Sequence, residues 1–247
     1  MIDQLIYRSL ATEMKRLFEH FPVITLTGPR QSGKTTLCRK LYPDLPYINL
    51  ENANTLQEIQ DDIKSFFDKY SQGVIIDEAH NFPEIFSYIQ IHVDEDKFKG
   101  KKDRKFIVTG SSNFALLEKV TQSMAGRTAV LTLLPLSYKE LLQSGLAPTT
   151  NRFIINGGYP AIWLDESVRT EIYSNYYTTY IERDVRSIIN IKDLRAFHIF
   201  LRLCAGRIGS EFNASSLSVA TGVSVNTINS WISVLAASYT VYLLTPY

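Results

Sequence analysis

Short apolar runs alternate with amphipathic stretches along the first half of the chain. Five runs have the apolar, β-branched composition of buried strands: residues 22–28 (PVITLTG), 45–51 (LPYINLE), 73–78 (GVIIDE), 105–110 (KFIVTG) and 128–136 (TAVLTLLPL). Four stretches between them have helical spacing: residues 34–42, 55–70, 83–94 and 113–120. Strand and helix alternating in this way predict an α/β fold, with a parallel sheet covered by helices on both faces.

The pattern changes after Pro135. Residues 151–205 read as helices, and no strong strand signal returns until residues 239–244 (YTVYLL). The turn-forming stretch SGLAPTT at 144–150 supplies a break between the two regions. We therefore expect a second, mainly helical region to begin near residues 136–150.

Residues 215–235 (SSLSVATGVSVNTINSWISVL) fit a helix-turn-helix. Gly222 would make the turn, and Ser224 would cap the second helix. The residues expected to pack inside are Leu217, Val219, Ile228, Trp231 and Leu235. The following stretch, SYTVYLLTPY, would begin the wing of a winged helix that is truncated in this chain.

A winged helix suggests DNA recognition, but the charge of this one argues against it. The second helix, Val225 to Ser238, contains no lysine or arginine, and contacts to phosphate dominate affinity for DNA. Base contacts would fall to Asn226, Thr227 and Asn229. We favour a structural or partner-contact role for this region and keep DNA as the alternative partner.

Composition narrows the class of protein. Among 247 residues, 26 Lys and Arg balance 25 Asp and Glu, so net charge gives no hint of nucleic acid or of an acidic membrane surface. No apolar run approaches the roughly 18 residues of a membrane span. The charged, amphipathic start does not read as a signal peptide. Cys38 and Cys204 are far apart, which predicts two reduced thiols in a cytoplasmic protein.

One dense basic run, KFKGKKDRK, occupies residues 97–105. It reads either as a solvated loop before the next strand or as a loop that contacts phosphate.

Gly28 and Gly33, followed by Lys34 and Thr35, form the pattern G-x-x-x-x-G-K-T between a predicted strand and a predicted helix. This is the phosphate-binding loop, or P-loop, whose glycines let the backbone amides close around an anion at a helix N-terminus. Lys34 would contact the β- and γ-phosphates, and the Thr35 hydroxyl would bind Mg²⁺. The predicted nucleotide-binding residues of the loop are Gly28, Pro29, Arg30, Gln31, Ser32, Gly33, Lys34, Thr35 and Thr36.

Two carboxylates end the buried run GVIIDE. Charged groups at the end of a buried strand are costly unless a ligand uses them. We expect Asp77 to orient Mg²⁺ and Glu78 to polarise the attacking water as the catalytic base. The letters DEAH, ending in His80, also spell a helicase motif, but the helical residues after 136 are too few for the second nucleotide-clasping domain of such enzymes.

The run FIVTGSSNF at 106–114 ends in hydroxyl and amide side chains. Side chains of this group, which comprises Thr109, Ser111, Ser112 and Asn113, could hydrogen-bond the γ-phosphate or the attacking water, and we assign that role to Ser111. The alternative interpretation, compatible with the first, is a helix N-cap at Ser112 or Asn113. Arg127, before the last predicted strand, is either a catalytic arginine that neutralises transition-state charge or an ion-pairing surface residue.

The chain resembles the bacterial and archaeal AAA-type ATPases of the extended family whose members carry an uncharacterised C-terminal domain. The resemblance covers most of the chain and rests on these segments in order: Arg8–Leu10, LTGPRQSGKTTL, INLE, VIIDEAH, FIVTGSSNFALL, MAGRTAVLTLLPLSYKELL, GGYP and YIERDV. It implies a five-stranded parallel sheet of the additional-strand type, with the strand before Ser111 between the strands of the P-loop and of Asp77. It also implies a helical lid after the sheet, Arg183 as a second nucleotide-sensing residue, and ATP rather than GTP as the nucleotide. Members of that family continue into a nuclease-like domain, so their pattern implies that this chain is C-terminally truncated.

Together these observations predict a P-loop ATPase domain at 1–136, a helical lid at 137–190 and a truncated winged-helix-like region at 191–247. The predicted reaction is Mg²⁺-dependent ATP hydrolysis coupled to movement of the lid. A homo-oligomer is one possible assembly, and the sequence leaves the oligomeric state open. The alternative is a nucleotide-gated module that binds DNA and hydrolyses ATP slowly or incidentally. A phosphoryl-transferring kinase is a weaker third reading, because no acceptor-binding motif accompanies Asp77 and Glu78.

Overall fold

The computed structural model describes residues 6–101, 103–110, 124–146, 148–179, 191 and 193–245. The chain divides into two compact units, Met1–Arg169 and Thr170–Tyr247. The boundaries at 136 and 190 that we drew from the sequence stay a prediction. Among the described residues, no helix combines the length and apolar character that crossing a membrane requires.

A single five-stranded sheet forms the centre of the first unit. Its strands are β1 (Val23–Thr27), β2 (Tyr47–Asn49), β3 (Gly73–Asp77), β4 (Lys105–Thr109) and β5 (Thr128–Thr132). The order across the sheet is β2-β3-β4-β1-β5, and all four pairings are parallel. The predicted five-stranded parallel sheet is confirmed, and β4 lies between the P-loop strand and the Asp77 strand as expected.

Helices surround this sheet and continue through the second unit. In the first unit they are α1 (Leu10–His20), α2 (Lys34–Leu41), α3 (Ala53–Asp61), α4 (Ile63–Lys69), α5 (Ile85–Phe98), α6 (Tyr138–Gln143), α7 (Thr150–Asn156) and α8 (Pro160–Leu164). Helix α9 (Arg169–Tyr176) begins at the boundary, and α10 (Leu194–Gly206), α11 (Ala214–Thr221) and α12 (Val225–Ala237) follow. The predicted helix at 55–70 is divided, because the side chain of Asp62 caps the start of α4 at the Ser65 amide.

Successive side chains of each strand point to opposite faces of the sheet, so an apolar core forms on each face. Val74 and Ile76 of β3 pack on one face with apolar residues of α3, α4 and α5. Ile75, between them, packs on the opposite face with residues of α1 and α2. Every residue of β1 and β3 is buried, which explains why these strands read as continuous apolar runs.

In the second unit, helices α11 and α12 form the predicted helix-turn-helix. Gly222 ends α11 in the left-handed conformation, at φ 76°, and Ser224 caps α12 by accepting from the Thr227 amide. Four of the five residues predicted to pack inside are buried. Val219 is 86% exposed, so the prediction that it packs inside is wrong. Residues two positions apart lie on different faces of a helix. Because Leu217 faces the core, Val219 faces solvent.

The predicted strand at 239–244 does not form in the described residues. The amides of Thr240 and Val241 donate instead to the Leu235 carbonyl at the end of α12. Among the described residues of this unit no other strand is present to pair with it, and a strand without a partner leaves its hydrogen bonds unmade.

Candidate nucleotide-binding site

The loop of residues 28–33 joins the end of β1 to the start of α2 at Lys34. Gly28 and Gly33 have φ values of 141° and 92°, which side chains rarely adopt. A Cβ on Gly28 would also lie only 2.2 Å from the carbonyl oxygen of Leu133. Both glycines of the sequence motif are therefore required by the backbone path.

Lys34 is buried, and its Nζ donates to the carbonyl oxygens of Gly28 at 3.0 Å and Pro29 at 2.9 Å. Burial lowers the pKa of Lys34, and the negative charges of Glu78 and Asp77 oppose that shift. The lysine and the two carboxylates thus belong to one electrostatic cluster at the loop.

Asp77 collects three hydroxyl groups at the carboxyl edge of the sheet. Oδ2 accepts from Thr35 Oγ1 at 2.7 Å and from the Tyr47 hydroxyl at 2.8 Å, and Oδ1 accepts from the Thr109 hydroxyl. The side chain is 4% exposed. The two residues predicted to bind the metal, Thr35 and Asp77, are therefore in direct contact.

Glu78 follows Asp77 at a sharp bend in the chain. Its backbone is left-handed, at φ 53°, and it precedes a short turn of 3-10 helix at Ala79–Asn81. Its Oε2 lies 3.1 Å from Nδ1 of His80, with both side chains mostly buried. His80, expected only as a loop residue, therefore contacts the predicted catalytic base.

The other predicted loop residues differ in their surroundings. Pro29 and Ser32 are buried, Arg30 is half-buried, and Gln31 and Thr36 are exposed. Among the described residues, Ser32 Oγ has no hydrogen-bond partner although it is buried. Gln31 joins the glycines in the left-handed region, at φ 61°. The loop thus holds one buried hydroxyl that no group in the described part of the chain satisfies.

Arg127 does not reach this edge of the sheet in its own chain. Thr128, the next residue, pairs with Val23 at the amino end of β1, about 15 Å along the strand from the loop. Arg127 donates to both carboxylate oxygens of Asp94, at 2.7 and 2.8 Å, and this pair lowers the pKa of Asp94. Within one chain the length of the strand thus separates Arg127 from the P-loop, and a catalytic role for Arg127 stays a prediction.

Ser111 and Arg183 lie outside the described residues, as do Ser112, Asn113 and the predicted helix at 113–120. Their proposed roles stay predictions.

The basic run borders a cavity of about 510 Å³ at the amino edge of the sheet, next to Arg127. Carboxylates of α5 pair with part of its charge: Glu95 with Lys99 at 3.2 Å and Asp96 with Arg104 at 3.1 Å. Phe98 is 93% exposed beside them. The basic run and the carboxylates of α5 thus form a surface of mixed charge, which lies far from the P-loop.

Sequence reasoning missed Tyr47 and Arg8. Tyr47 lies on β2 two residues before Asn49, which pairs with Asp77, so the strand register would have placed the phenol beside the carboxylate. Arg8 donates to the Ser32 carbonyl oxygen at 2.6 Å. No local pattern predicts that contact, because the two residues are 24 positions apart.

Residues 20–142 match the family model of an AAA domain, and residues 147–247 match a domain of unknown function, DUF8612. The matched AAA region contains the whole sheet, the loop and the Asp77 cluster. Residues 20–142 are therefore similar to an AAA domain, and their sheet and loop have the fold of a P-loop NTPase. A nuclease-like C-terminal domain stays a prediction.

Curated relatives resemble the chain over most of its length. An uncharacterised protein of Mycobacterium tuberculosis is 26% identical over 243 residues, 97% of this chain and 53% of the relative. An uncharacterised protein of Methanocaldococcus jannaschii is 28% identical over 247 aligned positions, 88% of this chain and 55% of the relative. The chain thus spans about half the length of the curated relatives it matches.

The chain is also similar to a solved structure, the Walker-type ATPase PABY2304 of Pyrococcus abyssi. The two superpose with a TM-score of 0.61 at 14% identity, over 95% of this chain and 90% of the other. At this identity the likeness concerns the fold, which is that of a P-loop NTPase.

Proposed function

We propose that this chain, with its AAA-type P-loop domain at residues 20–142, binds ATP with Mg²⁺ and hydrolyses it. The observation that carries the proposal is the 2.7 Å hydrogen bond between the Thr35 hydroxyl and Asp77. It joins the end of the P-loop to the end of β3, where a metal bound to phosphate would need its protein ligands.

The residues of the site fit both Mg²⁺ and a triphosphate. Thr35 and Asp77 offer oxygen atoms, which Mg²⁺ prefers, and few protein ligands suffice because the phosphates and water supply the rest. Accordingly, within the described residues no cluster of three or more His, Cys, Asp or Glu side chains is arranged to hold a metal alone. The buried Ser32 hydroxyl is a donor available to a phosphate oxygen.

Mg²⁺, when bound, would supply charge neutralisation at the β- and γ-phosphates. The chain's own residues do the remaining work. Lys34 would exchange the carbonyl oxygens of Gly28 and Pro29 for phosphate oxygens. Glu78 would accept a proton from water as the water oxygen bonds to the γ-phosphorus, and the bond from that phosphorus to the bridging oxygen breaks. Residues after the sheet, at 137–190, would move with the nucleotide as a helical lid, with Arg183 sensing it and Ser111 contacting the γ-phosphate.

Arg127 would act on the nucleotide of a neighbouring copy in a homo-oligomer. Its side chain pairs with Asp94 at the surface, 29% and 44% exposed respectively. A surface ion pair of this kind costs little to exchange for another anion, so a neighbour's triphosphate could replace Asp94 as the partner of Arg127.

A nucleotide-gated DNA-binding module is the second candidate, favoured by the helix-turn-helix of α11 and α12. Against it, the described residues of α12 include no cation. Hydrolysis would then be slow, and the nucleotide would act as a switch.

Nucleotide turnover by the purified chain tests the proposal, titrated with Mg²⁺, with duplex DNA and with protein concentration. We expect Mg²⁺-dependent release of phosphate from ATP without DNA. No turnover under any condition, together with ATP-dependent DNA binding, would favour the second candidate instead.

A further inference from the structure

Arg8 lies in the segment before α1 and is 8% exposed. Each of the three nitrogens of its guanidinium contacts an oxygen atom of the protein. Nη1 donates to the Ser32 carbonyl oxygen at 2.6 Å, Nη2 donates to the Leu134 carbonyl oxygen, and Nε lies 3.3 Å from Oε1 of Glu140. One side chain thus joins the P-loop, the segment that leaves β5, and helix α6.

Glu140 holds this guanidinium in place and is itself 5% exposed. Its carboxylate accepts from the Ser9 amide at 2.8 Å and from the Ser137 amide at 2.9 Å, and from both serine hydroxyls. Burial favours the neutral acid, but these hydrogen bonds and the charge of Arg8 outweigh it, so the pKa of Glu140 lies below its usual value. Both oxygens are therefore engaged, and the carboxylate has no freedom to follow a moving arginine.

The contact to Ser32 determines the orientation of one peptide of the P-loop. In a trans peptide the carbonyl oxygen and the following N–H point in opposite directions. Because Arg8 holds the Ser32 carbonyl oxygen on one side, the Gly33 N–H of the same peptide points to the other. Gly33 needs this help, since its φ of 92° belongs to a residue with wide conformational freedom.

From these contacts we propose that Arg8 is a positioning residue of the nucleotide site. It orients the Ser32–Gly33 peptide so that the Gly33 amide donates to the bound triphosphate, and it places a positive charge one peptide from the phosphates. The inference rests on the proposed function, since it concerns the same loop. It goes further by assigning to the segment before α1 a positioning role in the binding of phosphate.

The competing explanation is that Arg8 only attaches the first residues of the chain to α6. That role would affect the stability of the protein and leave the selectivity for phosphate unchanged. The two are separated by comparing the affinities for ATP and for adenosine, because adenosine lacks the groups that the Gly33 amide would contact.

The experiment uses the full chain and the Arg8→Lys variant, which keeps the charge but loses the planar fork. Arg16→Lys is the matched control, since Arg16 pairs with Glu13 in the same part of the chain but is exposed. Calorimetry measures affinity for a non-hydrolysable ATP analogue with Mg²⁺ and for adenosine. We expect Arg8→Lys to weaken triphosphate binding about 10- to 100-fold, with adenosine affinity and the Arg16→Lys control unchanged. Equal weakening for both ligands, or none for the triphosphate, would overturn the positioning role.

A measurement on the unmodified chain keeps the inference testable if Arg8→Lys fails to fold. In a ¹⁵N-labelled sample, the Gly33 amide proton should move downfield when the triphosphate and Mg²⁺ are added, as expected for a new hydrogen bond to an anion. An unmoved Gly33 signal in a protein that binds the triphosphate refutes the inference alone. Failure of the unmodified chain to bind any triphosphate refutes the proposed function instead.

Discussion

Oε2 of Glu78 lies 3.1 Å from Nδ1 of His80, two residues further along the chain. The left-handed backbone of Glu78 and the short helical turn after it bring the two side chains together. The predicted base thus lies against its neighbour, with only 16% of its side chain exposed.

Glu78→Gln should retain ATP binding and lose hydrolysis, by about 100-fold or more in kcat. Glutamine is nearly isosteric but accepts a proton poorly, and Asp77 remains to orient the metal. Turnover and analogue binding are measured on the same sample. Glu84→Gln, at an exposed position in the next turn, is the control. Unchanged turnover in Glu78→Gln would show that another group orients the water.

Lys34→Ala should abolish tight triphosphate binding. The loop loses its ammonium group, and the carbonyl oxygens of Gly28 and Pro29 lose a buried donor. Fluorescence titration with an ATP analogue measures the effect, and Lys40→Ala, on the exposed side of the same helix, serves as control. Wild-type affinity in Lys34→Ala would contradict the P-loop assignment.

Arg127→Gln should lower specific activity without unfolding the protein. The Asp94 pair is partly exposed, so its loss should change the free energy of unfolding by less than about 1 kcal/mol. If Arg127 serves a neighbour, wild-type specific activity should rise with protein concentration as copies assemble. Asp94→Asn, which releases the arginine, should not lower it. Constant specific activity over a wide dilution series, with a monomeric mass, would argue against action between copies.

Duplex DNA should bind the intact chain weakly, and what affinity exists should come from residues 97–105. Binding through lysine and phosphate weakens steeply with salt because counterions are released. Titrations of random duplex at two salt concentrations, with Lys97→Gln and Lys101→Gln combined, test this. Asn226→Ala in α12 is the comparison. Tight, sequence-selective binding that depends on Asn226 would make the helix-turn-helix the DNA site.

The unfolding free energy should fall in acid partly through Glu140. Its folded pKa lies below the usual value, so its stabilising contribution is present above the unfolded pKa and is lost as pH falls through the folded one. At neutral pH, Glu140→Gln should cost about 1–3 kcal/mol, because it leaves a buried arginine without its anion. That difference should shrink as the pH falls below the usual glutamate pKa of about 4.3 and through the lower folded pKa. Urea unfolding at each pH measures it, with exposed Glu13→Gln as control. A difference that does not change with pH would show that the charge of Glu140 contributes nothing.

The parts of the fold set by local pattern could be predicted from the sequence. Apolar runs located all five strands, since burial on both faces requires continuous apolar residues. The glycine spacing located the loop because the backbone at Gly28 and Gly33 adopts φ values that other residues rarely take. Two local patterns misled: Val219 reads as core but faces solvent, and residues 239–244 read as a strand but lack a partner.

Contacts between distant polar residues could not be predicted in the same way. Tyr47 and Asp77 are 30 positions apart, and Arg8 and Glu140 are 132 apart. The sequence around each of these residues contains no motif that would predict its partner. Only the strand register and the return of the chain after β5 bring the partners together, and neither leaves a periodic signal.

The backbone at Gly28 packs closely against the backbone at Leu133, just after the end of β5. A methyl group at position 28 would lie 2.2 Å from the Leu133 carbonyl oxygen, and the Leu133 amide donates to Thr27 at 2.8 Å. Three residues on, the Leu136 amide donates to the Gly158 carbonyl oxygen at 2.6 Å. We therefore expect a displacement of the loop to shift residues 133–136 and, through the hydrogen bond of Leu136, the segment at Gly158 that precedes α8.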